Sequence, residues 1–285
     1  ATSVPDLVLD EYCSRRSSRD SAVAMATIIS STQRPTSEGV RRINQFKYCT
    51  VLEQDRPRFS SFVFNETALE KLVRESYGGE HFDIFLSDLT GKLSNLRSII
   101  YSVHLANNFD DFKETRVQSM MQLFLNHTFQ SWIGKKDTTI EAVATNNDLI
   151  EFSVRDTEGN DVKWTGYSDL KCGMAGCDLN DSRSTFEMKV PFTASLHHST
   201  GLQPKQQLLG QAIGISQQTA PPRCTLSYLT DIFALSVMHY DGTGAYLSRR
   251  VTSAKEFCLR LLLTCCPELK VAERESLMDE GTITD

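Results

Sequence analysis

Apolar residues recur every three or four positions in several parts of the chain, and this spacing predicts amphipathic helices. Gly134 is expected to stop the longest of them, Pro204 suits the first turn of another, and Ser253 is a suitable cap for the last. The predicted helices cover 67–76, 93–106, 109–133, 204–215 and 254–264.

Other stretches alternate apolar and polar residues or are short apolar runs, and these predict strands. They cover 47–52, 59–64, 140–144, 149–155, 162–171, 185–192, 229–240 and 245–251. The turn Asp241-Gly242-Thr243-Gly244 makes a hairpin of the last two. From residue 109 onward, helices alternate with strands, which predicts an α/β fold with a mixed sheet between helices.

The chain has 285 residues, a length that favours one or two domains. Residues 1–45 are rich in Ser, Thr and Arg and are expected to form an irregular arm with one short helix near 21–30. We therefore divide the chain into an N-terminal arm and mainly helical segment over 1–108 and an α/β domain over 109–285.

The composition narrows the possible partners. A formal net charge of -6 and a pI near 5.6 exclude a uniformly basic nucleic-acid-binding surface, so phosphate contacts must come from metal ions or local groups such as Lys171 and Lys205. No apolar run is long enough to cross a membrane. The sparse cysteines are typical of reduced thiols, which predicts an intracellular location, in the nucleus or the cytoplasm.

Apolar and charged side chains alternate in the segment Thr185-Phe-Glu-Met-Lys-Val190. Phe186 and Met188 are expected to face a core, and Glu187 and Lys189 then share the opposite face of the strand. Asp169 ends the preceding predicted strand and comes close to Glu187 if the two strands pair. Two carboxylates and one ammonium group would then converge.

This combination suits phosphate chemistry. Carboxylate oxygens are the ligands that Mg²⁺ prefers, and a bound Mg²⁺ lowers the pKa of its water and neutralises charge on a phosphate. A nearby lysine can orient that water or stabilise the charge that develops in the transition state.

An Asp on one strand and a Glu-x-Lys on the next resemble the PD-(D/E)XK nuclease superfamily over roughly residues 109–265. The resemblance implies a restriction-endonuclease-like fold and Mg²⁺- or Mn²⁺-dependent hydrolysis of DNA, with RNA as the second choice. It implies that Asp169, Glu187 and the backbone carbonyl of Met188 bind the metal, and that Lys189 positions the water.

The same resemblance suggests supporting residues on the neighbouring helices. The family often has a glutamate in its first core helix, and Glu114 is our assignment, with Gln118 and Gln122 as alternatives. Some members have a glutamine in the helix that follows the Glu-x-Lys strand. Gln207 is placed near the site, and Gln211 lies one turn further on the same helical face.

A narrower resemblance covers PPRCTLSYLTDIFALSVMHYDGTGAYLSRRV and the helix TSAKEFCLRLLL that follows. These segments are similar to the nuclease-like region of fungal-type protein kinases and of Crinkler-type effectors, with Tyr240-Asp241-Gly242 and Phe257 at the matching places. This implies an alternative function, a catalytically inactive module that binds a protein or nucleic-acid partner. A protein partner would contact the N-terminal segment.

Cys172 and Cys177, followed by His197 and His198, offer a zinc site as another alternative. The two histidines are adjacent rather than spaced as in structural zinc sites, so ordinary thiols are favoured.

Overall fold

The computed structural model describes residues 40–106, 114–132, 140–145, 148–179, 181–190, 202–218, 225–242, 244–266 and 277–279. The helices are α1 Glu66–Tyr77, α2 Phe82–Ala106, α3 Glu114–Gln130, α4 Leu202–Gln218 and α5 Ala254–Leu261. The strands are β1 Val40–Arg42, β2 Arg58–Phe64, β3 Ile140–Ala144, β4 Ile150–Arg155, β5 Asp161–Gly166, β6 Leu170–Met174, β7 Ser184–Met188, β8 Thr225–Thr230, β9 Leu235–Tyr240, β10 Gly244–Ser248 and β11 Met278–Asp279.

The strands form two sheets. The large sheet has eight strands in the order β11-β2-β10-β9-β8-β7-β6-β3, and the small sheet has three in the order β1-β5-β4. In the large sheet β7 runs parallel to β8, whereas β6 is antiparallel to both β3 and β7. The protein is therefore α/β with a mixed sheet flanked by helices, as the sequence predicts.

Helix α4 lies between the two sheets. Its apolar face, which includes Leu208, Ala212 and Ile213, shares one hydrophobic cluster with Trp164 of the small sheet and Met238 of the large sheet. The residues on the opposite face of the large sheet join a second cluster with α1, α2, α3 and α5. The central strands β8 and β9 of the large sheet are thus covered on both faces, and nearly all of their residues are buried.

Residues of the predicted N-terminal segment complete the large sheet. Strand β2 pairs in parallel with β10 and antiparallel with β11. The buried Arg260 donates to Glu66 at 2.5 Å and to the Arg249 carbonyl at 2.7 Å, which ties the start of α1 to α5 and the end of β10. Helix α1 itself begins where the Asn65 side chain accepts from the Ala68 N–H, and ends at Gly78, whose φ of 69° favours glycine.

The structure corrects three predicted strands. The stretch 162–171 is not one strand, because the chain leaves the small sheet at Gly166 and enters the large sheet at Leu170. The stretch 229–240 is two strands joined by a tight turn at 231–234, and 47–52 contains 3-10 turns instead of a strand.

The predicted helices that fall within the described residues and the remaining strands are found, all but β3 with shifted ends. The helix predicted over 93–106 begins eleven residues earlier, at Phe82, so that α2 has 25 residues. The helix predicted near 21–30 lies outside the described residues. None of the helices in the described part of the chain has the length and apolar character that a bilayer crossing requires.

Candidate functional site

Asp169 lies at the point where the chain passes from the small sheet into the large one. Its N–H donates to the Phe186 carbonyl at 2.9 Å, which continues the pairing of β6 with β7. Its side-chain Oδ2 accepts from the Met188 N–H at 2.5 Å. The carboxylate of Asp169 therefore lies beside the backbone that carries Glu187, as the strand pairing of the sequence analysis requires.

Glu187 and Lys189 share the face of β7 that is turned towards α4. The Lys189 ammonium donates to Glu187 Oε1, and the side chain of Glu187 is only 2% exposed. Phe186 and Met188 face the opposite cluster with α3 and α5. The Lys189 N–H donates to the Thr230 carbonyl at 2.8 Å, so the backbone beyond β7 stays in register with β8.

Gln211 of α4 holds the second oxygen of the Glu187 carboxylate. Its Nε2 donates to Glu187 Oε2 at 2.6 Å and to the Tyr167 carbonyl at 2.9 Å. Gln211 is fully buried, and within the described residues its Oε1 has no hydrogen-bond partner. A buried amide oxygen in this state is suited to accept from a water or another ligand in the site.

Burial, followed by the negative charge of Asp169, raises the pKa of Glu187 to about 7 against the opposing effects of Lys189 and Gln211. The repulsion between the two carboxylates shows that they share one electrostatic environment. A cation between them would favour the ionised form of both.

The donors available at this point are hard oxygens. In an extended strand the N–H and C=O of one residue lie on the same side, so the Met188 carbonyl faces the side on which its N–H meets Asp169. Each carboxylate has about four lone-pair sites, so the bonds to Lys189 and Gln211 leave room for a metal. Asp169, Glu187 and the Met188 carbonyl therefore fit Mg²⁺ or Mn²⁺ by chemistry.

Side-chain ligands alone would not complete such a site. Across the described ranges, no three or more His, Cys, Asp and Glu side chains gather in a way that could hold a metal ion. A metal here would depend on two carboxylates, a backbone carbonyl and water, which is the way Mg²⁺ is usually bound.

The helical residues differ in part from those assigned from sequence. Gln207 is half-buried on α4, but it is Gln211, one turn further, that contacts Glu187. Glu114 is the first residue of α3, and its side chain lies outside the described part of the structure. Gln118, one turn along α3, donates to the Asp169 carbonyl at 2.6 Å. Gln122 donates instead to Ala142 of β3, at 3.1 Å.

The two lysines considered for phosphate contact have different surroundings. Lys171 is buried, pairs with Asp148 at 2.8 Å and donates to the Cys177 carbonyl at 2.8 Å. The Lys171 ammonium is therefore bonded to other groups of the protein itself. Lys205 is exposed on the first part of α4.

The thiols of Cys172 and Cys177 are both free. Cys172 is buried, and this burial raises its pKa well above the usual range, while burial also raises the pKa of Cys177. Burial therefore favours the protonated form of both thiols. His197 and His198 lie outside the described residues.

Thr145 also belongs to the site, although no sequence pattern marks it. Thr145 follows β3 and is buried, and its N–H donates to the Asp169 carbonyl at 3.2 Å. A lone threonine after a strand is no signal of such a role.

When the chain is compared with protein-family models and with curated proteins, neither comparison gives a match.

Proposed function

We propose that this protein is a metal-dependent phosphodiesterase, a nuclease that acts on DNA, with RNA as the second choice. The observation that carries the proposal is the meeting of Asp169, Glu187 and Lys189 where β6 and β7 pair. Mg²⁺ or Mn²⁺ would be held by Asp169, Glu187 and the Met188 carbonyl.

The order of elements around the site also supports the proposal. Leaving out the β4–β5 hairpin, the chain from α3 runs through β3, β6 and β7 to α4 and β8, and these four strands are neighbours in the large sheet. A helix, a group of antiparallel strands, a second helix and a parallel strand are also the core that the resemblance to PD-(D/E)XK nucleases implies.

Each residue has a definite role in this proposal. When bound, the metal supplies an acidic water and a positive charge for the phosphate. The carboxylates of Glu187 and Asp169 would both be ligands of the metal. Gln211 keeps the Glu187 carboxylate oriented through its hydrogen bond to Oε2. The Lys189 ammonium, which rests on Glu187 Oε1, is close enough to orient the attacking water and to stabilise charge on the phosphoryl oxygens.

Plasmid and oligonucleotide cleavage with Mg²⁺ or Mn²⁺ tests the proposal. We expect the wild-type protein to cut and Lys189→Ala to lose this activity. Lys163→Ala is the matched control, because Lys163 pairs with Glu151 at 3.0 Å on the small sheet and lies on a different sheet from β7. Equal activity of wild type and Lys189→Ala would contradict the proposed role of Lys189.

One observation favours a second candidate function, a catalytically inactive nuclease-fold module that binds a protein or nucleic-acid partner. Both oxygens of Glu187 already have protein donors, Lys189 and Gln211, so the buried carboxylate is satisfied without a metal. If wild type is inert and calorimetry detects no Mg²⁺ or Mn²⁺ binding, this second function replaces the first. A nuclear or cytoplasmic location is proposed for either function.

A further inference from the structure

Three consecutive backbone carbonyls at 167–169 are each held by a side chain from a different element. Gln211 of α4 donates to the first, at 2.9 Å. The Thr145 hydroxyl donates to the second, that of Ser168. Gln118 of α3 donates to the third, that of Asp169, at 2.6 Å.

This segment links the two sheets. Strand β5 ends at Gly166 and β6 begins at Leu170, and of the three residues between them Asp169 keeps strand-like backbone bonds, with Phe186 and with Thr145. The Asp169 carbonyl accepts from the Gln118 amide and from the Thr145 N–H, at 2.6 and 3.2 Å. Thr145 and Ser168 are buried, so few water molecules can substitute for these donors.

We propose that Gln118 and Thr145 are positioning residues that set the Asp169 carboxylate for metal binding. This inference rests on the proposed metal-dependent function. Gln118 donates to the main-chain carbonyl of Asp169, and the side-chain Oδ2 of Asp169 accepts from the Met188 N–H. The two bonds therefore fix both the main chain and the carboxylate of Asp169. Neither positioning residue is a metal ligand in this proposal.

The role differs from the one that the sequence suggested for α3. There a helix residue, Glu114 by preference, would support the site directly. Here the helix acts through the Gln118 amide nitrogen, which donates to the main-chain carbonyl of Asp169, the residue just before β6. We therefore expect a substitution of Gln118 to lower the affinity for metal and to leave the cleavage rate at saturating metal unchanged.

Gln122 provides a matched control on the same helix. It is also half-buried, lies one turn away, and donates to a backbone carbonyl, that of Ala142, at 3.1 Å. Gln118→Met and Gln122→Met each keep the length of the side chain and remove one donor. The two changes therefore remove similar bonds, only one of which leads to Asp169.

The test measures Mn²⁺ affinity by calorimetry and cleavage rate as a function of Mn²⁺ concentration in the full chain. We expect Gln118→Met to weaken Mn²⁺ binding about ten-fold, a typical effect of removing a group that orients a metal ligand. Its rate at saturating Mn²⁺ should return to that of wild type. Gln122→Met should bind Mn²⁺ as wild type does.

A second pair of variants keeps the inference testable if Gln118→Met does not fold. Thr145→Val removes the hydroxyl that donates to Ser168, whereas Thr145→Ser keeps it. We expect Thr145→Val to weaken Mn²⁺ binding about ten-fold and Thr145→Ser to restore it.

Two results would overturn the inference in distinguishable ways. In the first, wild type binds Mn²⁺ and Gln118→Met binds it as well as Gln122→Met does, or Thr145→Val binds it as well as Thr145→Ser does. The positioning role is then wrong and the proposed function stands. If wild type neither binds Mn²⁺ nor cleaves, the proposed function fails and this inference fails with it.

Discussion

The Met188 N–H donates to Asp169 Oδ2 at 2.5 Å, so the side chain of one residue replaces a backbone partner of the neighbouring strand. The bond joins the residue just before β6 to the last residue of β7. It also brings a second negative charge next to Glu187, which is buried. The electrostatics of Glu187 therefore depend on Asp169.

This dependence can be measured through the Asp169→Asn variant. Asn keeps an oxygen that can accept from Met188 but has no charge, so one of the causes of the raised Glu187 pKa is removed. We expect the pKa of Glu187 to fall from about 7 towards its ordinary value. Titration of the glutamate carboxyl carbons by NMR measures the change, and an unaltered pKa would show that burial alone sets it.

The stability of the metal-free protein should depend on pH through Glu187. Its pKa is about 7 in the folded protein against 4.5 ordinarily, so between these values the folded state binds more protons than the unfolded state. The free energy of unfolding therefore falls as pH rises through this window, by on the order of 3 kcal/mol. Below and above the window this contribution is constant.

Urea unfolding with EDTA at pH 5 and pH 8 tests this expectation. Glu187→Gln cannot ionise, so the fall in unfolding free energy between the two pH values should be smaller in the variant than in wild type. The comparison between the two proteins is necessary because buried Asp231, whose pKa burial raises to about 6, contributes in the same direction. Identical pH dependence would mean that Glu187 does not titrate in this range.

Gly214 should not tolerate alanine. A Cβ there would lie 2.3 Å from Ile150 Cγ2 and 3.1 Å from Phe152 Cδ1, so α4 and the small sheet would have to separate. We expect Gly214→Ala to lower the unfolding free energy by about 1–3 kcal/mol. Gly91→Ala in α2 is the control, because nothing lies within 4 Å of its added Cβ.

The control should change stability in the opposite direction. Alanine is favoured over glycine inside a helix by roughly 0.5–1 kcal/mol, so Gly91→Ala is expected to stabilise the protein. Chemical denaturation of both variants measures the two effects. If Gly214→Ala is as stable as Gly91→Ala, the close packing of α4 on β4 is wrong.

Arg97 should stabilise the turn between β8 and β9. Its guanidinium donates to the carbonyls of Ile232 at 2.9 Å, Phe233 at 3.1 Å and Thr252 at 2.7 Å. A lysine cannot reproduce this planar arrangement, so Arg97→Lys is expected to cost about 2 kcal/mol of unfolding free energy. Thermal and urea unfolding measure it.

An exposed lysine on α1 serves as the comparison for Arg97. Lys71 lies 3.9 Å from Glu75 in a solvent-exposed pair. Such pairs contribute little, so Lys71→Met should change stability by less than about 0.5 kcal/mol. An equal effect of the two substitutions would contradict the role assigned to Arg97.

The sequence predicts the alternation of β7 correctly but does not reveal the change of sheet at 167–169. Val162 and Trp164 face α4, and Leu170 and Cys172 face the other cluster. All of them occupy even positions, so the apolar alternation continues in phase across the break and resembles one long strand. The difference lies in which layer each residue meets, and a period of two carries no information about that.

The choice between Gln207 and Gln211 has a similar origin. Periodicity places both on one face of α4, but it does not determine how far along the helix axis the neighbouring strand crosses. One turn moves a side chain by about 5.4 Å, which decides whether it reaches Glu187.

Sequence patterns also do not predict the turn between β8 and β9. It contains no glycine or proline, and it is formed by Ile232, whose φ is 74°, and by the Asp231 side chain. That side chain accepts from the N–H groups of Phe233 at 3.0 Å and Ala234 at 2.7 Å. Residues with positive φ are usually glycine or asparagine, so an isoleucine gives no warning of a turn.

The single amide of Gln211 donates to the Tyr167 carbonyl, just beyond the last residue of β5, and to Glu187 at the centre of the site. A molecule that shifts the end of the small sheet therefore alters the surroundings of that carboxylate. Because linkage is reciprocal, any ligand at Glu187 that displaced Gln211 would change the free energy of such a shift by the same amount.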